Sequence, residues 1–174
     1  AVLDWGPTLL GEWKGVSIHH AGWMVAAFEI SGIVGMLVAG WATDRFFGGR
    51  GPRVCVICMA LATVFVALFW GISQPPMWLA TLLLGAAGFC IYGPQALVGI
   101  AAANIATKKA AATAVGFTGL FGYASTLVSG WGLGLLAQHY GWNIAVGALI
   151  LIAIMGTLIF MAAWSAKANG YDND

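Results

Sequence analysis

Five long apolar runs, separated by short polar breaks, constrain this chain more than any other feature of its sequence. They cover about residues 18–43, 54–73, 77–106, 110–138 and 142–166. A helix needs about 20 apolar residues to cross the roughly 30 Å hydrocarbon core of a bilayer. Within lipid every backbone N–H and C=O must be satisfied inside the structure, so consecutive runs of this length read as helices. The expected fold is therefore all-α, a polytopic membrane helix bundle. Composition agrees, with 61% hydrophobic and 7% charged residues against about a quarter charged in a soluble domain. So few charges cannot cover a surface facing water.

The breaks between the runs set an orientation. Arg45, Arg50 and Arg53 fall in the first break, Lys108 and Lys109 in the third, and Lys167 begins the polar tail, 167–174. The second and fourth breaks, SQPP and QHYGW, carry no Lys or Arg. The positive-inside rule puts the first and third breaks and the C-terminus in the cytoplasm, as expected for an inner-membrane protein. Residues 11–17 then lie outside. Residues 1–10 read as the outer end of a further, truncated helix, so the bundle over 11–166 makes five full spans plus a remnant of a six-helix unit. Such a unit is half of a common transporter plan, in which two halves enclose a site at the bilayer midplane.

Several function classes drop out. Net charge is +1, and no basic stripe interleaved with aromatics is present, so nucleic acid is not an expected partner. There is no H-E-x-x-H, nucleophile elbow, Walker loop or carboxylate cluster, so neither enzyme chemistry nor a metal or cofactor is expected. Cys55 and Cys58 form a C-x-x-C inside an apolar run without a second pair, which reads as two small residues on one helix face.

Glu29 is the most informative single position. It lies mid-run in AAFEISGIVG, the one acidic or basic side chain deep inside any of the five runs. A charge at that depth costs about 2.5–3.5 kcal/mol on insertion scales. It persists where a water-filled cavity or a counter-charge receives it, so Glu29 is a candidate substrate or ion-pair site. In the third run, Tyr92-Gly93-Pro94-Gln95 sits mid-span. Pro94 removes a backbone donor and kinks a helix. Tyr92 and Gln95 are one turn apart and share a face. Two readings stay open there: both side chains face a cavity, or they are satisfied tips of a packed kink. Further on, Gly116, Gly119 and Gly122 repeat every three residues and leave a strip for close helix packing, with Tyr123 beside it.

The stretch Gly40-Trp-Ala-Thr-Asp44-Arg45-Phe-Phe-Gly-Gly-Arg50-Gly-Pro-Arg53 marks a helix–loop–helix junction. Gly40 suits a close helix approach. Asp44 suits a helix N-terminus, where it meets the positive end of the dipole. Arg45, Arg50 and Arg53 suit carboxylates or lipid phosphates. The spacing resembles the signature loop of the major facilitator superfamily, between the second and third helices of each half. The resemblance implies a gating role for Gly40, Asp44, Arg45, Arg50 and Arg53.

Taken together, VLDWGPTLL (2–10), FEISGIVG (28–35), GWATDRFFGGRG (40–51), IYGPQALVGIAA (91–102) and KKAAATAVGFTGLFGY (108–123) are similar, in order, to the organophosphate:phosphate antiporter family of that superfamily. The resemblance implies the C-terminal six-helix half of a twelve-helix carrier, with an N-terminal half of the same protein and membrane lipids as partners. It implies exchange of an organic phosphate, glycerol-3-phosphate or a sugar phosphate, for inorganic phosphate. In the family a pair of arginines, one per half, takes the phosphate, and the one in the seventh helix would fall just before Ala1. Glu29, Tyr92, Gln95 and Tyr123 would line the substrate cavity. Two features pull apart within the family. AVGFTG (114–119) lacks the acid and lysine of some hexose-phosphate carriers, whereas the Gln after Gly93-Pro94 is similar to the hexose-phosphate branch. A transporter-like sensor of sugar phosphate belongs to the same family and is the rival expectation.

Overall fold

The computed structural model describes residues 2–72, 75–106 and 109–165. The expectations for the second break at Ser73 and Gln74, for Lys108, and for the tail 167–174 lie outside the described residues. Six helices follow one another: α1 (Val2–Lys14), α2 (Ile18–Phe47), α3 (Gly51–Gly71), α4 (Met77–Ile105), α5 (Ala111–Tyr140) and α6 (Trp142–Ala162). No strand occurs among the described residues. Helices α2 to α6 are long and apolar enough to cross a membrane. Their connections are short, so sequential spans run antiparallel.

The helix ends follow local chemistry. Helix α2 runs past the expected end at residue 43, because Phe46 and Phe47 prolong its apolar sequence until Gly48 closes it. Gly48 takes φ 56° and Gly49 φ 76°, left-handed backbone that glycine adopts without a Cβ clash. Helix α3 starts at Gly51, ahead of the expected 54, with Pro52 in its first turn. Pro is favoured there, since that N–H has no helical acceptor anyway. Helix α5 continues through Gln138, His139 and Tyr140, so only Gly141, at φ 81°, separates it from α6. Helix α1 also continues through residues 11–14, which the sequence alone assigns to a loop.

The tightest contact in the bundle is α2 against α4. A Cβ added at Gly35 would run into the Phe89 carbonyl, and one at Gly88 into the Phe28 carbonyl. The two backbones therefore touch, which only glycines at the crossing permit. Ser31 ties the same pair, its hydroxyl lying 2.7 Å from the Gly85 carbonyl and 2.9 Å from the Phe28 carbonyl. One apolar cluster at the His19 end joins Leu10, Met24, Phe69 and Leu83 from the first four helices. Another at the Arg45 end joins Ala39, Val54, Cys55 and Leu97. All three cysteines are free thiols.

Helix α5 stands apart. Phe121, Tyr123, Leu127 and Val128 in its middle are all exposed, and its buried residues are Leu133 and Gly134. Those two belong to a third cluster with Trp142 and Ala145, against which Trp5 packs.

Candidate functional site

Glu29 lies near the middle of α2 and Tyr92 near the middle of α4, on the face where the two helices meet. The Tyr92 hydroxyl donates to Glu29 Oε2. The other carboxylate oxygen, Oε1, is buried and has no hydrogen-bond partner among the described residues. A carboxylate oxygen left in that condition is costly, so it is poised for a donor. The Tyr92 ring lies edge-on to Phe28, with centroids 5.9 Å apart and planes at 71°.

Beside this pair is a cavity of about 450 Å³. Glu29, Tyr92 and Gln95 line it, with Trp5 and Leu9 from α1 and Thr126 from α5. The rest of its wall is apolar, including Met59, Phe65, Leu84, Ile91 and Leu149. Tyr92 and Gln95 both line this cavity, the Tyr92 hydroxyl is satisfied by Glu29, and Pro94 itself is buried within continuous helix. Tyr123 is not among the residues lining this cavity and is 79% exposed, because its face of α5 is left uncovered by the described residues.

The α2–α3 junction departs from expectation at two positions. Asp44 stands in the last turn of α2, at the negative end of that dipole and not at a helix N-terminus. The reason is the two-phenylalanine extension that carries α2 onward. Around Gly40, no atom of the described residues lies within 4 Å of an added Cβ, so none of the described helices approaches closely at that point. Arg45 sits in the last turn of α2, and Arg50 caps the start of α3. Arg53 reaches across to the turn that follows α6: its Nε donates to the Trp164 carbonyl at 3.5 Å, and its guanidinium lies 5.5 Å from the Trp164 ring centroid.

Sequence reading missed a clamp built on Trp5. Its Nε1 donates to the Gly130 carbonyl at 2.8 Å, and its six-membered ring fills the place of a Cβ at Gly134, 2.7 Å away. Trp142 packs on it edge-on at 6.2 Å and donates from Nε1 to Glu12 Oε2 at 2.8 Å. Helix α1 is thereby fastened to α5 and α6. The GxxxG at Gly130–Gly134 was the available signal, but it names a notch and not the side chain that fills it. At the same end, Lys14 Nζ donates to the Ile72 carbonyl at 2.5 Å, closing the end of α3. Burial pushes the Lys14 ammonium below its ordinary range.

The family model described as the Major Facilitator Superfamily matches residues 6–170. Curated relatives carry related names. A probable hexose phosphate transport protein of Chlamydia pneumoniae is 38% identical over 95% of this chain and 37% of its own length. A glycerol-3-phosphate transporter of Haemophilus influenzae is 34% identical over 96% of this chain and 39% of its own. The membrane sensor protein UhpC of Salmonella typhimurium is 32% identical over 97% of this chain and 38% of its own. The chain therefore spans well under half the length of the relatives it matches.

Proposed function

The chain belongs to the major facilitator superfamily, and on that premise we propose that it is the C-terminal six-helix half of a carrier that exchanges an organic phosphate for inorganic phosphate by alternating access. The organic phosphate is glycerol-3-phosphate or a sugar phosphate, and the inorganic phosphate gradient drives the cycle. Relatives named for both substrates support this reading.

The observation that carries it is the Glu29–Tyr92 pair beside a cavity near mid-helix. Evolutionary drift removes a buried acid from lipid unless something receives its charge. Here a tyrosine hydroxyl receives one oxygen and the other stays open. A phosphate dianion does not bind against a bare carboxylate, so the phosphate goes to the arginine pair of the family resemblance, outside these residues. Glu29 sets the electrostatics of the cavity, or holds a lysine of the N-terminal half between turnovers. That half covers the exposed face of α5 and brings Tyr123 to the common cavity with Tyr92 and Gln95. The junction of Gly40, Asp44, Arg45, Arg50 and Arg53 latches the cytoplasmic side, and the C-terminal tail lies in the cytoplasm of a bacterial inner membrane.

The test is exchange by the full-length protein in phosphate-loaded vesicles. Labelled glycerol-3-phosphate or glucose-6-phosphate should enter only when phosphate is inside. Tight binding without exchange supports the second reading, a sensor of sugar phosphate, which rests on the 32% identity to a membrane sensor protein. Neither binding nor exchange overturns both.

A further inference from the structure

We propose that Gly32 is a positioning residue of this site: its bare backbone is the notch that lays the Tyr92 ring across α2 and so sets the Tyr92 hydroxyl on Glu29. The proposal rests on the reading of Glu29 as the working acid of the cavity.

A Cβ built at Gly32 would lie 2.6 Å from Tyr92 Cδ2, 2.8 Å from Cγ and 3.0 Å from Cε2. Cγ is the ring atom nearest the α4 backbone, so the ring cannot clear a Cβ by moving its tip. Phe28 stands edge-on to the same ring at 5.9 Å, which closes another direction of escape. Helix α4 cannot retreat either. One turn further along α2, Gly35 already meets the Phe89 carbonyl, and Gly88 meets the Phe28 carbonyl. Backbone contact therefore fixes the helices on both sides of the notch, and the ring is the part that yields.

Glu29 and Gly32 are three residues apart and share a helix face. A ring resting over position 32 carries its hydroxyl to the carboxylate at position 29. This contact occupies Oε2 and leaves Oε1 open. Any side chain at 32 lifts the ring and its hydroxyl off the acid while the helix pair stays in place. Gly32 thus acts through Tyr92 and touches no ligand. A glycine needed only for packing would differ: its replacement would lower stability without separating the hydroxyl from the acid.

The experiment places 3-fluorotyrosine at position 92 alone in the full-length protein and reads its fluorine resonance in detergent. Glu29→Gln supplies the resonance of a hydroxyl that faces no charge. Gly32→Ala should move the native resonance to that reference and lower phosphate exchange about tenfold, the loss of one charge-assisted hydrogen bond. Tyr92→Phe keeps the ring in the notch and removes only the hydroxyl, so it should give the same loss of exchange. Combining it with Gly32→Ala should lower exchange no further. An unmoved resonance in Gly32→Ala overturns the proposal, as does a loss that adds fully to that of Tyr92→Phe. Should Gly32→Ala fail to fold, Tyr92→Ala in the same chain must restore it by emptying the notch, and failure to restore it overturns the proposal. Unimpaired exchange in Glu29→Gln strikes the reading of Glu29 itself, whatever the resonance does.

Discussion

Helices α2 and α5 carry the same kind of sequence signal and meet opposite fates. Both are long, apolar and spaced with glycines. On α2, the places of the missing Cβ atoms at Gly32 and Gly35 are filled by Tyr92 and the Phe89 backbone. On α5, nothing among the described residues lies within 4 Å of an added Cβ at Gly116, Gly119 or Gly122. A glycine strip therefore announces that a backbone can be approached, and says nothing about what approaches it. The α2–α4 pair is complete within this chain and holds the acid. The α5 strip is left open among the described residues, and the proposed function assigns its covering to the N-terminal half.

The largest effect that could break this comparison is at Gly35. Gly35→Ala drives a Cβ into a backbone carbonyl that cannot swing aside. Overpacking costs about 1–3 kcal/mol, and more where neither side relaxes, so loss of about 3 kcal/mol is expected from thermal unfolding of the full-length protein. Gly119→Leu, at an open position, should leave the melting temperature close to wild type; under the proposed function it should also slow exchange, since there the two halves would rock against each other. Equal destabilisation by the two variants would mean that α5 is packed as statically as α2.

Next in size is Glu29→Gln. Losing a charge-assisted hydrogen bond of about 1.5–3 kcal/mol should lower exchange about ten- to a hundredfold. Stability should change little, since the weakened hydrogen bond is offset by removal of a carboxylate from membrane depth. A fall in stability with intact exchange would turn Glu29 from a functional acid into a structural one.

How much of this was legible follows from which signals are local. Spans are local: a run of apolar residues is enough, and five were readable, as was the odd acid within one of them. Helix ends were less so, because Phe46 and Phe47 prolong α2 past charged Asp44 and Arg45, where polarity alone reads as a loop. Glu29 and Tyr92 were each legible as unusual residues of their own helices. Their bond joins positions 63 residues apart and depends on the notch at Gly32, which no period in the sequence reports. Trp5 was hidden differently. A tryptophan in a membrane protein reads as an interfacial anchor, and only the neighbouring Gly130 carbonyl and the Gly134 notch reveal it as a clamp.

That clamp sharpens the comparison further, with a smaller effect. Trp5→Phe keeps an aromatic in the notch and removes the donor to the Gly130 carbonyl. A part-buried hydrogen bond contributes about 0.5–1.5 kcal/mol, so a loss near 1 kcal/mol is expected. The loss should be confined to α5 and its junction with α1. Hydrogen exchange should speed at 126–136 and stay unchanged at 28–36. Faster exchange in both segments would show that α5 is not the independent element described above.

The smallest stability effect belongs to Tyr123→Phe. Its side chain is 79% exposed and none of its atoms holds the bundle together, so the change should stay within about 0.5 kcal/mol. Its effect on exchange is the informative quantity. If the N-terminal half covers α5, the Tyr123 hydroxyl enters a water-filled space between the halves, and its removal should raise the half-saturating concentration of organic phosphate several-fold. If the same position faces acyl chains, removing a hydroxyl from lipid should leave both stability and exchange as they were. The second result would break the comparison at its weaker side, since α5 would then be exposed because it meets lipid and not because it awaits a partner. The α2–α4 site would survive that outcome, as its contacts are made entirely within this chain.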